Sequence, residues 1–269
     1  MNKIFQLAVE ASSIEIIDTA QDFESAAILW LLDGKSFPEN DLQRFSSRLS
    51  PSEIRRWVHF ARSVRRRQFL LGRVLLRYAV TAVTGHASRD FSVLERSGEA
   101  PQLLFNDPSY CAPNFSLSHS GDWIACVVST AAVVGVDIEM NRLDRGFDDI
   151  STLAFSEREQ SWFGARPHSE RCAAFYLLWC LREASYKLEC NLRSSAEALR
   201  LPHDDSYARF CRPGIYAYQI PVDDLGLTAV VVSNEALSGI RKVVLTQPAT
   251  ISDPLTCRRG LSSIACKAG

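Results

Sequence analysis

The stretch WCLREASYK, from Trp179 to Lys187, constrains the fold of this chain most. Trp179, Glu183 and Lys187 are spaced four residues apart, so a helix would place all three on one face. The residues between and before them are mostly apolar, which predicts a helix packed against a core. An acid and a base on such a helix indicate either a surface ion pair, worth roughly 0.2–0.5 kcal/mol, or a functional pair with partners elsewhere in the chain.

The composition is that of a globular protein with a substantial core. The chain has 269 residues, of which 46% are hydrophobic and 23% charged, so one large domain or two small ones are expected. No apolar run reaches the length of a membrane span, and Glu10 and Glu15 interrupt any secretory leader. The eight cysteines include no C-x-x-C pair. These features predict reduced thiols and a cytoplasmic protein without membrane contact.

Positive charge is concentrated in one segment, although the net charge is only −1. Between Arg44 and Arg77 there are ten arginines, and the only acid is Glu53. Such a block is expected to attract phosphates or an acidic partner. Nucleic acid is one ligand with such phosphates, but the segment lacks the glycine, aromatic and zinc-ligand patterns of common nucleic-acid modules.

Helices are predicted before strands in the first part of the chain. Ser50-Pro51 with Glu53 predicts a capped helix start, and Gly85 is expected to end a long helix. The predicted helices are 42–49, one beginning at Ser50, and 63–84; the predicted strands are 27–32, 91–94, 102–105, 115–118 and 123–129. SHSGD, at 118–122, is predicted to form the turn between the last two strands.

In the second part, helices lie between strands. A strand is predicted at 131–139, helical structure at 155–163 and in WCLREASYK, and strands near 207–211, 215–220, 227–232 and 242–245. Helices before strands in one part and between strands in the other predict an α+β fold made of two comparable halves, a duplicated α+β unit. The predicted halves are 1–130 and 131–246, joined near Thr130, with a flexible tail at 247–269.

Two carboxylates in the predicted strand 131–139 form the first candidate site. Asp137 and Glu139 alternate with Ile138, so both point to one face while Ile138 enters the core. Two carboxylates this close need positive charge nearby. Magnesium prefers such oxygen ligands, and Glu183 would provide a third. Lys187, one helical turn further, could then meet a phosphate bound to the same metal.

The residues around His119 form the second candidate site. His119 is flanked by serines in the predicted turn, where it could donate to an anion rather than being a buried core histidine. Ser116 and Ser118 alternate with apolar residues and share one polar face of their strand. No nucleophile elbow, Walker-type loop or H-E-x-x-H motif is found.

The order FSLSHSGDW, GVDIE, WCLREASYK resembles the phosphopantetheinyl transferase superfamily, in its Sfp-like two-half branch. RRRQFLLGRVLLR at 65–77 and SPSEIRRW at 50–57 resemble upstream segments of that family, so the resemblance covers roughly residues 45–195. It implies transfer of the 4′-phosphopantetheine arm of coenzyme A to a serine of a carrier protein. The implied by-product is adenosine 3′,5′-bisphosphate, and the implied enzyme is a magnesium-dependent monomer. The resemblance also implies two similar α+β halves related by a pseudo-two-fold axis, with the active site in the cleft between them.

The resemblance also implies roles for individual residues. Asp137, Glu139 and Glu183 match its metal ligands, and either Glu183 or a metal-bound water would be the base. Lys187 and His119, with Ser118 beside it, match contacts to coenzyme A phosphate. Arg56 and Arg73 lie where the family has basic residues near the nucleotide.

The chain departs from the family pattern at three places. Arg182 replaces a lysine, Glu99 and Ala100 replace the glycine and basic residue of a G-K-P turn, and Glu53 stands where some members have a lysine for the 3′-phosphate. Two other functions share the motifs. One is a metal-dependent phosphodiesterase or nuclease, and the other is a carrier-protein-binding module whose catalytic site has decayed.

Overall fold

The computed structural model describes residues 27–95, 99–143, 146–192 and 215–246. In the first part, three helices lie between strand β1 and four further strands. The elements are β1 (Ala27–Asp33), α1 (Glu39–Ser46), α2 (Pro51–His59), α3 (Ser63–Thr84), β2 (Phe91–Leu94), β3 (Gln102–Phe105), β4 (Asn114–Ser120) and β5 (Trp123–Ser129). The capping box of Ser50 and Glu53 and the left-handed Gly85 after α3, with φ 73°, are both present.

The second part places its helices after the strand that carries the paired carboxylates. Its elements are β6 (Val134–Met140), α4 (Phe147–Ala154), α5 (Glu157–Gly164), α6 (His168–Asn191), β7 (Tyr216–Ile220), β8 (Leu227–Ser233) and β9 (Ile240–Leu245). Helix α6 extends the predicted WCLREASYK helix at both ends. No helix among the described residues is long and apolar enough to cross a membrane.

The strands form two main sheets and one hairpin. The first sheet has the order β4-β5-β1-β9, in which β9 runs parallel to β1 and the other neighbours are antiparallel. The second sheet is antiparallel with the order β6-β8-β7, and β2 pairs with β3. Strands β4 and β6 are therefore edge strands of different sheets.

The two sheets share a hydrophobic core, and each carries one long helix on its other face. Leu29 and Val127 of the first sheet lie in one buried cluster with Ile138 and Val231 of the second. Helix α3 packs on the first sheet, and α6 packs on β6 and β8 through residues such as Ala184. The resulting order of layers is helix, sheet, sheet, helix.

The mixed α+β class is confirmed, and several local predictions need correction. The predicted helix 42–49 lies at Glu39–Ser46, and helix α4 was not predicted. Strand β4 continues to Ser120, so only Gly121 and Asp122 form the turn. The division at residue 130 stays a prediction, and β9 from the second part completes the first sheet. The strand predicted near 207–211 and the tail at 247–269 lie outside the described residues.

Candidate active site

Helix α6 and strand β6 touch through their backbones at Gly135. A Cβ at this position would lie 2.1 Å from the carbonyl oxygen of Ala184 and 2.7 Å from the amide nitrogen of Leu188. Both distances are far below a normal contact, so only glycine permits this approach. The glycine of the GVDIE motif thereby brings the polar residues of α6 next to the carboxylates of β6.

Asp137 is the centre of a buried hydrogen-bond network. Lys187 Nζ donates to Asp137 Oδ1 at 2.7 Å, to Ser118 Oγ at 3.0 Å and to the carbonyl oxygen of Val136 at 3.0 Å. Ser118 Oγ donates to the same Oδ1 at 2.7 Å. Asp137 is 5% exposed, and its Oδ2 atom has no hydrogen-bond partner within the described residues. One oxygen of Asp137 is thus fixed, and the other is left for a ligand.

Glu139 and Glu183 line the same open cleft as Asp137. Ser120 Oγ donates to Glu139 Oε2 at 2.7 Å, which fixes this side chain from the end of β4. The cleft has a volume of about 560 Å³. Its lining residues are Arg62, Val64, Arg65, Gln68, His119, Ser120, Gly121, Asp137, Glu139, Trp179 and Glu183.

The surface ion pair between Glu183 and Lys187 is not formed. Lys187 pairs with Asp137 instead, and no cation among the described residues pairs with Glu183. The three donor positions of the Lys187 ammonium are used by protein acceptors. Lys187 therefore neutralises a buried carboxylate in this structure, and its predicted contact with a phosphate would require at least one of these bonds to be exchanged.

His119 lies in strand β4, not in the turn that the sequence predicted, and it faces the cleft beside Arg65. Arg65 Nη1 donates to His119 Nε2 at 2.7 Å. Partial removal of the imidazole from solvent and, next in size, the positive charge of Arg65 lower the pKa of His119. Both effects favour the neutral ring, so Arg65 is the stronger donor toward an anion at this position.

The two arginines predicted to contact the nucleotide lie in different environments. Arg73 is 6% exposed and pairs with Glu53 and Glu95. Its buried position therefore does not support a direct contact with a ligand in the cleft. Burial lowers the pKa of the Arg73 guanidinium. Arg56 pairs with Glu95 at 2.5 Å, and its side chain is 46% exposed. Only Arg56 presents its charge to solvent.

Two departures from the motif pattern have a structural explanation. Glu53 is fully buried and accepts from both terminal nitrogens of Arg77, at 3.0 and 2.6 Å. It therefore belongs to the interior of the first part and cannot meet a phosphate. Arg182 Nη1 donates to Glu159 Oε2 of α5 at 2.7 Å, a contact that attaches α5 to α6.

Arg65 and Gln68 are cleft residues that the motifs did not single out. They are three residues apart in the first turns of α3 and so share one face. Gln68 Nε2 donates to the carbonyl oxygen of Gly121 at 2.8 Å, which ties α3 to the turn after β4. The spacing of three residues could have suggested that the two side chains point the same way. That they point into the cleft depends on how α3 packs on its sheet.

The donor set fits a hard divalent cation. Asp137, Glu139 and Glu183 offer only carboxylate oxygens, which magnesium prefers, and the unpartnered Asp137 Oδ2 is a buried atom that needs positive charge. Within the described residues, no three acidic, histidine or cysteine side chains already meet in a metal-binding arrangement. The three carboxylates share one cleft and would have to converge on the ion.

Two sheets with a helix on each outer face define an α+β protein, and its cleft is lined by carboxylates and arginines. The model of the 4′-phosphopantetheinyl transferase superfamily matches residues 133–214. The chain is 27% identical over 191 residues to the 4′-phosphopantetheinyl transferase Sfp of Bacillus subtilis, covering 68% of this chain and 76% of that protein.

Shorter matches agree with this relationship. AcpT of Salmonella typhi is 33% identical over 130 residues, 46% of this chain and 59% of that protein. A second Bacillus subtilis 4′-phosphopantetheinyl transferase is 28% identical over 152 residues, 56% of this chain and 62% of that protein. The chain thus spans less than two thirds of these two relatives. The family model and these relatives support the resemblance to the 4′-phosphopantetheinyl transferase superfamily that the motifs indicated.

Proposed function

We propose that the chain transfers the 4′-phosphopantetheine arm of coenzyme A to a serine of an acyl or peptidyl carrier protein. The observation that carries the proposal is the buried, unpartnered Asp137 Oδ2 in a cleft shared with Glu139 and Glu183. These carboxylates stand in the motifs through which the chain resembles its superfamily. A diphosphate ester is a ligand that a cation in this cleft would hold.

Asp137, Glu139 and Glu183 would hold Mg²⁺. Bound there, the ion supplies positive charge that offsets the negative charge of the diphosphate. Asp137 would offer its Oδ2 atom, because Lys187 and Ser118 already donate to Oδ1. Lys187 would then keep the Asp137 carboxylate oriented through Oδ1 while the cation is bound.

The reaction forms a bond from the carrier serine oxygen to the phosphorus that bears the pantetheine arm. The bond from that phosphorus to the oxygen of the leaving adenosine 3′,5′-bisphosphate breaks, and the serine proton must be taken up. Glu183 is the group best suited to accept it, because it faces the cleft and pairs with no cation of the described ranges. Arg65 and His119 would donate to phosphate oxygens at the opposite wall, where donors stabilise developing charge.

The nucleotide end of coenzyme A would lie against the arginine-rich helices. Arg56 keeps an exposed guanidinium, and Arg62 and Arg65 line the cleft. Arg73 would support Arg56 indirectly, because both arginines bind Glu95. The same positive surface would attract the acidic surface of a carrier protein.

The wider predictions belong to the same proposal. They comprise a monomer with two halves related by a pseudo-two-fold axis, a location in the cytoplasm, and no nucleic-acid or membrane partner. Both parts show a similar succession of a long helix followed by strands, which supports a pseudo-two-fold relation between the halves. The described cysteines, which are all free thiols, favour a reducing compartment.

Mass spectrometry of an apo carrier protein incubated with this chain, coenzyme A and Mg²⁺ tests the function. We expect the carrier to gain the mass of one phosphopantetheine arm, and the gain to stop when a chelator removes the metal. Hydrolysis of nucleic acid without coenzyme A would instead support a phosphodiesterase. Carrier binding without any mass gain would support a non-catalytic module.

A further inference from the structure

Strands β4 and β6 meet edge to edge through serine side chains. Three hydroxyls of β4, which we call the serine row (Ser116, Ser118 and Ser120), each accept a hydrogen bond from an amide of β6. The distances are 3.1 Å from Val136 N to Ser116, 3.4 Å from Ile138 N to Ser118 and 3.0 Å from Met140 N to Ser120. The serine row thus takes the place of a backbone ladder between the two sheets.

The second hydrogen bond of each hydroxyl distinguishes the members of the row. Ser118 donates to Asp137 Oδ1 and Ser120 donates to Glu139 Oε2, both at 2.7 Å. Ser116 has the same kind of bond to β6 but donates to neither carboxylate. Two members therefore join the sheets and hold a carboxylate at the same time, whereas one only joins the sheets.

We infer that Ser118 and Ser120 are positioning residues for the divalent cation, so that the junction of the two sheets is itself part of the metal site. The inference rests on the proposed function, because it concerns the cation proposed for Asp137 and Glu139. Each serine fixes one oxygen of its carboxylate, and at Asp137 the other oxygen is left without a partner. Neither serine needs to touch the ion or coenzyme A for this role.

The physical reason is the orientation of the ligands. A carboxylate already held through one oxygen has fewer accessible rotamers, so it loses less conformational freedom when the other oxygen binds a cation. Residues that orient metal ligands affect metal affinity by about 10–100-fold. Because the hydroxyls also receive amides of β6, any change in the spacing of β4 and β6 would alter the directions of both carboxylates. A shift between the sheets would therefore change the affinity for the cation.

Mn²⁺ binding to the full chain without coenzyme A tests the inference, since free Mn²⁺ can be followed by electron paramagnetic resonance. We expect Ser120→Ala to weaken Mn²⁺ binding about tenfold. Ser116→Ala is the matched control, because it removes the same kind of bond to β6 without touching a carboxylate. It should bind Mn²⁺ within about twofold of the unmodified chain, while both variants melt at a lower temperature.

Three further variants separate the possible failures. Ser120→Thr retains the hydroxyl and should restore Mn²⁺ affinity, and Ser118→Ala provides a second test if Ser120→Ala does not fold. Equal affinities of Ser120→Ala and Ser116→Ala would overturn the positioning role. Unchanged affinity in Asp137→Asn would overturn the metal site, and with it this part of the proposed function.

Discussion

Two clusters of buried charge differ in how their charges are balanced. In the first part of the chain, Glu53 and Glu95 bind Arg73 and Arg77, so each buried carboxylate has a buried cation. In the cleft, Asp137, Glu139 and Glu183 lie along one wall, and Lys187 pairs with Asp137. In the first cluster each buried acid has a buried cation, whereas in the second Asp137 Oδ2 is buried without a hydrogen-bond partner among the described residues.

The difference separates structural charge from functional charge. The arginines are the most prominent charged feature of the sequence. Those that are buried, however, form ion pairs with glutamates and are not available to a ligand. In the cleft, Asp137 Oδ2 is buried without a hydrogen-bond partner among the described residues, which favours a cation as a ligand. Substitutions in the two clusters should therefore affect different properties.

The largest expected effect is on catalysis, from Glu183→Gln. If Glu183 binds the ion and accepts the proton, the transfer rate should fall at least about a hundredfold. The magnesium requirement should rise because one anionic ligand becomes neutral. Stability in chelator should hold or increase, since repulsion among the three carboxylates decreases. Transfer rates at several Mg²⁺ concentrations, with thermal melts in chelator, measure both effects.

Glu53→Gln should show the reverse pattern. It leaves Arg73 and Arg77 buried with one carboxylate fewer, which costs about 3–5 kcal/mol of unfolding free energy. Urea denaturation measures this loss. Arg56→Ala is the control, because that side chain is 46% exposed and its ion pair should contribute less than about 1 kcal/mol. A Glu53→Gln protein as stable as the unmodified chain would remove the distinction between the clusters.

Lys187→Met tests the cation that pairs with Asp137. Asp137 would become a buried carboxylate without its cation, and the unfolding free energy should fall by about 1–3 kcal/mol in chelator. Mg²⁺ should restore more stability to this variant than to the unmodified chain, because the ion replaces the missing charge. Unchanged stability with a higher KM for coenzyme A would show that Lys187 serves mainly as a phosphate contact.

The smallest expected effect concerns His119 and its neighbour. Because the pKa of His119 is lowered on folding, protonation of the ring favours the unfolded chain, and stability is lost as the pH falls from the unfolded pKa of about 6.5 through the lower folded pKa. Arg65→Gln removes a positive charge, so it should raise the pKa of His119 and reduce this loss. Titration of the His119 ring by NMR in both proteins measures the shift, and an equal pKa would contradict the contact with Arg65.

Local signals in the sequence predicted much of the fold. The bounds of α3 follow from its apolar pattern and from Gly85, whose left-handed conformation ends the helix. The capping box at the start of α2 could also be predicted from the sequence. The pairing of β9 with β1 was not predictable, because it joins residues about 200 positions apart and no local pattern specifies such a partner.

The sequence predicted the acidic residues of the candidate site, but it predicted the residues around them less well. Asp137 and Glu139 were located by alternation in a strand, which depends only on local geometry. His119 was assigned to a turn because serines commonly form turns, whereas here the serine row continues β4 and bonds to β6. The burial of Arg73 depends on Glu53 and Glu95, and their convergence is a property of the packed structure.

Thermal melting with and without Mg²⁺ tests most directly whether the acidic cluster is a cation site. At a Mg²⁺ concentration one hundred times its Kd, binding should add about 2.7 kcal/mol, a rise of several degrees in Tm for a chain of this size. Asp137→Asn should lose most of that rise, and Glu53→Gln should keep it despite a lower starting Tm. A Tm of the unmodified chain that does not respond to Mg²⁺ would contradict the account.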